Sequence, residues 1–90
     1  MSAPILLVED TSSLAMLYET VLRKAGYSVV AAASLQEARA EWKKSKSDTI
    51  LLDLTLPDGD GMELMEEVHQ RNPEARVIVI TANGSINRAV

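Results

Sequence analysis

The sequence predicts an α/β fold in three layers, a parallel sheet covered by helices on both faces. Two observations carry this. The aliphatic runs Ile5-Leu6-Leu7-Val8, Ile50-Leu51-Leu52 and Val77-Ile78-Val79-Ile80 have the composition of short strands buried on both faces. Between them lie stretches whose apolar residues recur at helical spacing, and strands that alternate with helices join by right-handed parallel crossovers. A chain of 90 residues holds one domain at most.

The first strand covers 4–9. Over 11–25, Leu14, Leu17, Val21 and Leu22 mark one face of an amphipathic helix, with Arg23 and Lys24 suiting its C-terminal dipole and Gly26 placed for a left-handed cap. Tyr27 and the β-branched pair Val29-Val30 give a second strand, 27–32. Ser34 followed by Glu37 forms a capping box that opens a helix running to about Lys46. Its apolar stripe is Leu35, Ala38 and Trp42, and Lys43, Lys44 and Lys46 form a solvated helix end favoured by the macrodipole. The third strand is built on Ile50-Leu51-Leu52 and ends at Asp53, before the turn Pro57-Asp58-Gly59-Asp60-Gly61. A third helix, 61–71, turns Leu64, Met65 and Val68 inward and stops at Asn72-Pro73. The fourth strand is 75–81; Asn83-Gly84-Ser85 then turns into the first residues of a fourth helix.

Composition narrows the function. The aliphatics supply nearly all of the 47% hydrophobic content, and a net charge of −4 argues against non-specific binding to nucleic acid or anionic membranes. The absence of cysteine excludes disulfides and thiolate metal sites. No apolar run approaches the roughly 18 residues of a membrane span, and the first residues lack the basic region of a signal peptide. A soluble, cytoplasmic protein is expected.

The chemistry gathers where the strands end. In an open parallel sheet the ligand site lies beyond the carboxyl ends of the strands, which would bring Glu9, Asp10, Asp53 and Thr81 to one edge. Glu9 and Asp10 alone would also suit the N-terminus of the first helix; with Asp53 and Thr81 at neighbouring ends they read as a site. Crowded carboxylates raise one another's pKa. A hard divalent cation relieves this, and Mg2+ fits a site of few protein carboxylates and several waters. Beside it, Asp53 can act as a nucleophile toward a phosphoryl group.

Leu7-Val8-Glu9-Asp10, Leu51-Leu52-Asp53-Leu54-Thr55-Leu56-Pro57-Asp58, Gly61-Met62-Glu63-Leu64 and Val79-Ile80-Thr81-Ala82 together resemble the receiver domain of two-component response regulators. The likeness covers essentially the whole chain, and the end, from Thr81 to Val90, looks most like the NtrC- and LuxO-type branch, whose members join the receiver to a sigma-54-dependent ATPase and a DNA-binding domain. The resemblance implies a flavodoxin/CheY-like sheet in the order 2-1-3-4. It implies Asp53 as phosphoacceptor; Asp10, Glu9 and the backbone carbonyl of Thr55 as further Mg2+ ligands, Glu9 through water; Thr81 as switch hydroxyl; and the amide of Ala82 as a phosphoryl contact. The implied partner is a sensor histidine kinase or histidine phosphotransfer protein, and the implied activity is regulatory rather than enzymatic.

The sequence departs from that family after Val90: residues 1–90 supply four βα units ending in the start of the fourth helix, without the fifth strand, its Lys-Pro pair or the fifth helix. The expectation is that 1–90 alone self-associates, recruits those elements from another chain, or belongs to a longer protein, because the fourth strand would be an apolar sheet edge. A haloacid-dehalogenase-type phosphohydrolase is disfavoured by Thr55, which stands where such an enzyme needs a second acid. A P-loop is excluded by the glycine-free turn Glu9-Asp10-Thr11-Ser12-Ser13. The remaining alternative is a receiver-fold interaction module that is not phosphorylated. His69 is read as a surface histidine.

Overall fold

The computed structural model describes residues 3–53 and 55–80. Its elements are β1 (Ile5–Val8), α1 (Ser12–Lys24), β2 (Val29–Ala32), α2 (Leu35–Ser45), β3 (Thr49–Asp53), β4 (Thr55–Leu56), β5 (Gly59–Asp60), α3 (Gly61–Arg71) and β6 (Arg76–Ile80). Four parallel strands form one sheet in the order β2-β1-β3-β6, the order anticipated from sequence. The helix expected from Ser85, and Thr81 and Ala82 with it, lie outside the described residues.

Alternation along the strands divides the interior in two. Leu6, Val8, Ile50, Leu52 and Val77 join Leu35 and Ala38 of α2 and Leu64 and Val68 of α3 in one apolar core, with Trp42 and Met65 at its margin. The arginine of α2, Arg39, grips Glu67 of α3 through contacts of 2.7–3.1 Å, so these two helices are tied on their outer side as well. Ile5 and Leu51 point to the opposite face, beside Leu22 of α1. Here the expectation of a buried stripe on the first helix needs correction. No residue of α1 is buried, and Leu17 and Val21 are 56% and 58% exposed. Among the described residues nothing packs against the outer side of that stripe, and β6 is a sheet edge with Ile78 on its surface.

Helix ends are set by local chemistry. At the end of α1, Tyr27 N–H donates to Leu22 O (3.1 Å) and Gly26 N–H to Arg23 O (3.0 Å). With Gly26 at φ 96° this is a Schellman close. The Ser34 hydroxyl caps α2 by accepting from Glu37 N–H (3.1 Å), while Glu37 reaches back to Ala33 N–H rather than to Ser34, so the anticipated box is shifted by one residue. Lys46 ends α2 in the left-handed region at φ 52°. The turn after Asp53 is more ordered than its sequence suggested: β4 and β5 pair antiparallel across Pro57-Asp58, and Asp60 then caps α3 by accepting from Met62 N–H at 2.9 Å.

Gly61 opens α3 hard against β3. A Cβ there would lie 2.8 Å from the Asp53 carbonyl oxygen and 3.1 Å from Leu52 Cδ1. Gly61→Ala therefore sets a helix-propensity gain of at most about 1 kcal/mol against an overpacking penalty of about 1–3 kcal/mol. The expected result is a lower urea midpoint at unchanged m-value, worth a net loss of about 1–2 kcal/mol; a raised midpoint would show that α3 is free to move away from Asp53.

Candidate metal centre

Parallel pairing sets the site. Val8 lies opposite Leu52 in the β1–β3 register, so the next residues on each chain, Glu9 and Asp53, come level at the sheet's edge. Glu9 N–H continues the ladder to β2 by donating to Ala32 O at 3.0 Å. Both carboxylates are buried, each residue only 4% exposed. One carboxylate oxygen from each of Glu9, Asp10 and Asp53 lies within 4.8 Å of the other two, with Asp10 exposed to solvent. The three acids singled out from sequence thus meet. Thr55 opens β4 two residues beyond Asp53 and belongs to the segment leaving the site.

Burial pushes the Glu9 carboxyl up to about 6, assisted by the charge of Asp53 and by side-chain hydrogen bonds with Asp53 and Asp10. The Thr11 N–H, donating to Glu9 Oε2 at 3.1 Å, pulls the other way and does not compensate. The capping alternative for Glu9 is therefore partly realised: the same carboxylate serves the entry to α1 and the acidic cluster. An oxygen-only donor set with two buried members and one exposed fits a hard divalent ion that keeps part of its water shell.

The surroundings agree in sign. A groove of about 280 Å3 beside Glu9 and Asp10 is lined also by Glu19 and Glu37. A larger cavity, about 510 Å3, lies at the opposite end of the sheet between Trp42, Lys43, Lys46 and Arg71, remote from the carboxylates. His69 faces that far end too. Its Nε2 is 3.0 Å from Ala75 O, so it pins the connection between α3 and β6 and is half-buried rather than a plain surface residue.

Read from sequence, Pro57-Asp58-Gly59-Asp60-Gly61 is a turn that leads into the third helix at Gly61. The structure assigns separate tasks within it. Asp58 accepts from Leu35 N–H (2.8 Å) and Gln36 N–H (3.0 Å) at the start of α2, Asp60 caps α3, and Gly61 makes the close approach to Asp53. Asp60 carried a readable signal, being followed three residues later by Glu63. Asp58 carried none, because its partner lies 23 residues away in sequence.

Comparison with known proteins points one way. A family model described as the response regulator receiver domain matches residues 5–90. The regulatory protein LuxO of Vibrio vulnificus (strain YJ016) is 39% identical over 84 residues, covering 93% of this chain but only 18% of that relative. The chemotaxis protein CheY of Thermotoga maritima is 32% identical over 85 residues, covering 93% of this chain and 71% of the relative. The response regulator protein TrrA of Thermotoga maritima, solved in complex with Mg(2+)-BeF, superposes with a TM-score of 0.83 at 28% identity, over 91% of this chain and 70% of that one.

The position of Glu9 gives a pH dependence. Its folded value of about 6 exceeds the ordinary 4.5, so the metal-free folded state holds a proton that the unfolded chain releases. Stability from this group is fully present below 4.5 and is lost as pH rises through about 6. The loss amounts to about 2 kcal/mol. NMR titration of the Glu9 carboxyl carbon should show a midpoint near 6, moving down in Asp53→Asn; an ordinary midpoint unaffected by Asp53→Asn would mean the two carboxylates do not feel one another.

Proposed function

Because the chain belongs to the response regulator receiver family, we propose that it is a phosphoryl-accepting switch in a phosphorelay, with Asp53 as the acceptor. The observation that supports this best is the meeting of Glu9, Asp10 and Asp53 within 4.8 Å at the end of a parallel sheet. Glu9, Asp10, Asp53 and the backbone carbonyl of Thr55 are the groups that would hold Mg2+, which when bound offsets the negative charge of carboxylates and phosphoryl oxygens. The similar TrrA, solved with Mg(2+)-BeF, supports that choice of ion.

The step required of this chain is simple. A carboxylate oxygen of Asp53 attacks phosphorus; the new O–P bond forms as the N–P bond of a donor phosphohistidine breaks, and the electron pair leaves on the imidazole nitrogen, which takes a proton. Burial holds the Asp53 side chain in one place for in-line attack. Thr81, the residue after Ile80, supplies a hydroxyl to a phosphoryl oxygen, and Ala82 an amide. The donor is a histidine on a sensor kinase or phosphotransfer protein; His69 is engaged with Ala75 at the far end of the sheet. The donor's phosphoryl group ends on the domain itself, so the product of the reaction is the modified switch. In LuxO the matched region is 18% of the protein, and control of transcription through a region beyond this one belongs to the same proposal.

With Mg2+ and phosphoramidate, mass spectrometry should find one added phosphoryl group, labile to base, and none in Asp53→Asn. Asp10→Asn should weaken Mg2+ binding by roughly tenfold or more, and by more than Glu9→Gln, since even outer-shell changes at metal sites have effects of that order. Wild-type labelling of Asp53→Asn would place the acceptor elsewhere. A folded sample whose amide shifts ignore beryllofluoride and Mg2+ together would favour the interaction module that is not phosphorylated.

A further inference from the structure

The segment that leaves Asp53 is held at two points. At one end Gly61 sits against the Asp53 carbonyl, with no room for a side chain. At the other, the Asp58 carboxylate accepts both the Leu35 and the Gln36 N–H, at 2.8 and 3.0 Å. Those donors are the first two residues of α2, which begins three residues after Ala32, level with Val8 and Leu52 in the parallel sheet and so at the same end as Asp53. The same junction is closed by packing: Leu56 and Leu35 are both buried in the core, and at Gly59 (φ 152°) a Cβ would lie 2.6 Å from Leu35 Cδ1. The β4–β5 hairpin therefore rests on α2 through one charged contact and one apolar one.

We infer that Asp58 is a positioning residue for the metal centre: by fastening the hairpin to the N-terminus of α2 it fixes where Thr55 directs its backbone carbonyl, without touching the ion. This rests on the reading above that Mg2+ is held by Glu9, Asp10, Asp53 and that carbonyl. The physical reason is geometric. Thr55 stands midway between its two fixed neighbours, two residues after Asp53 and three before Asp58, so freeing one anchor releases the carbonyl while leaving the carboxylates in place. Two N–H donors on the carboxylate, which hold Asp58 below the usual carboxylate range, keep the anchor charged near neutral pH.

Ser34 provides the control. Its hydroxyl also caps α2, accepting from Glu37 N–H at 3.1 Å, a bond within the helix's own first turn. Ser34→Ala and Asp58→Ala both remove an acceptor from one helix end, and the second also removes the hydrogen bonds that join α2 to the hairpin. Mg2+ titrations of the full chain, followed by the amide shifts of Glu9, Asp53 and Thr55, should show Asp58→Ala binding on the order of tenfold more weakly than wild type. Ser34→Ala should bind as wild type. Asp58→Asn, which keeps one oxygen acceptor for Leu35 N–H, should fall between and preserves the test if the alanine variant folds poorly. Wild-type Mg2+ affinity in folded Asp58→Ala, beside lost affinity in Asp10→Asn, overturns the role of Asp58 alone. Equal weakening by Ser34→Ala and Asp58→Ala overturns it too, by tracing the effect to α2 stability. Undiminished binding in Asp10→Asn overturns the metal reading itself, and this inference falls with it.

Discussion

The pairing of β1 with β3 is the constraint on which the rest depends, because one parallel register sets Glu9 and Asp53 side by side where water is scarce. Such a placement resists folding: burial first, and the charge of Asp53 second, hold Glu9 neutral up to about pH 6, a burden of about 2 kcal/mol at neutral pH. What sustains it is the apolar sheet behind. Leu6, Leu7, Val8, Ile50 and Leu52 have no accessible surface, and each such side chain contributes about 1.5–3 kcal/mol on burial. One buried leucine offsets the crowding of Glu9, and the sheet has several. A slip of one residue would turn every one of these side chains to the other face, so the core fixes the register and the register fixes the site.

The two faces of the sheet are held by different means. On one, α2 and α3 share an apolar core and the Arg39–Glu67 contact. On the other, α1 buries nothing completely and is fastened at its ends. Arg23 bridges Glu19 and the Val29 carbonyl at the C-terminal end, and Glu9 takes the Thr11 N–H at the N-terminal end. Glu9 therefore belongs to both the acidic cluster and the attachment of α1.

Much of this was legible in the sequence. The strands were readable because buried parallel strands are nearly pure aliphatic runs, and the span of α3 because Gly61 and Asn72-Pro73 bracket a clean helical period. Glu9, Asp10 and Asp53 were readable because strand ends in a parallel sheet converge. The failures have a common cause. Leu17 and Val21 show the periodicity of a buried face, but periodicity states what a residue suits and not what covers it. His69 looked unoccupied because its partner is a backbone carbonyl beyond a turn, and backbone carbonyls leave no mark on composition. Asp58 looked like a turn former because a helix N-terminus more than twenty residues upstream is likewise invisible until the chain is folded.

Five acids lie along the two segments that meet here, Glu9, Asp10, Asp53, Asp58 and Asp60, and the fold sorts them by the hydrogen bonds it offers. Asp58 and Asp60 face helix N-termini, where backbone N–H groups and the helix dipole satisfy a negative charge with no ion present. Glu9 receives a single N–H and sits buried beside Asp53, which is too little compensation for the lost water. The pKa directions record the division: Asp58 is lowered and Glu9 raised. Carboxylates that the backbone has already neutralised can serve as fasteners. Those left crowded retain a demand for positive charge. The acids that hold the loop and the acids that crowd together at the strand ends are thus the same residue types, separated by where two helices begin.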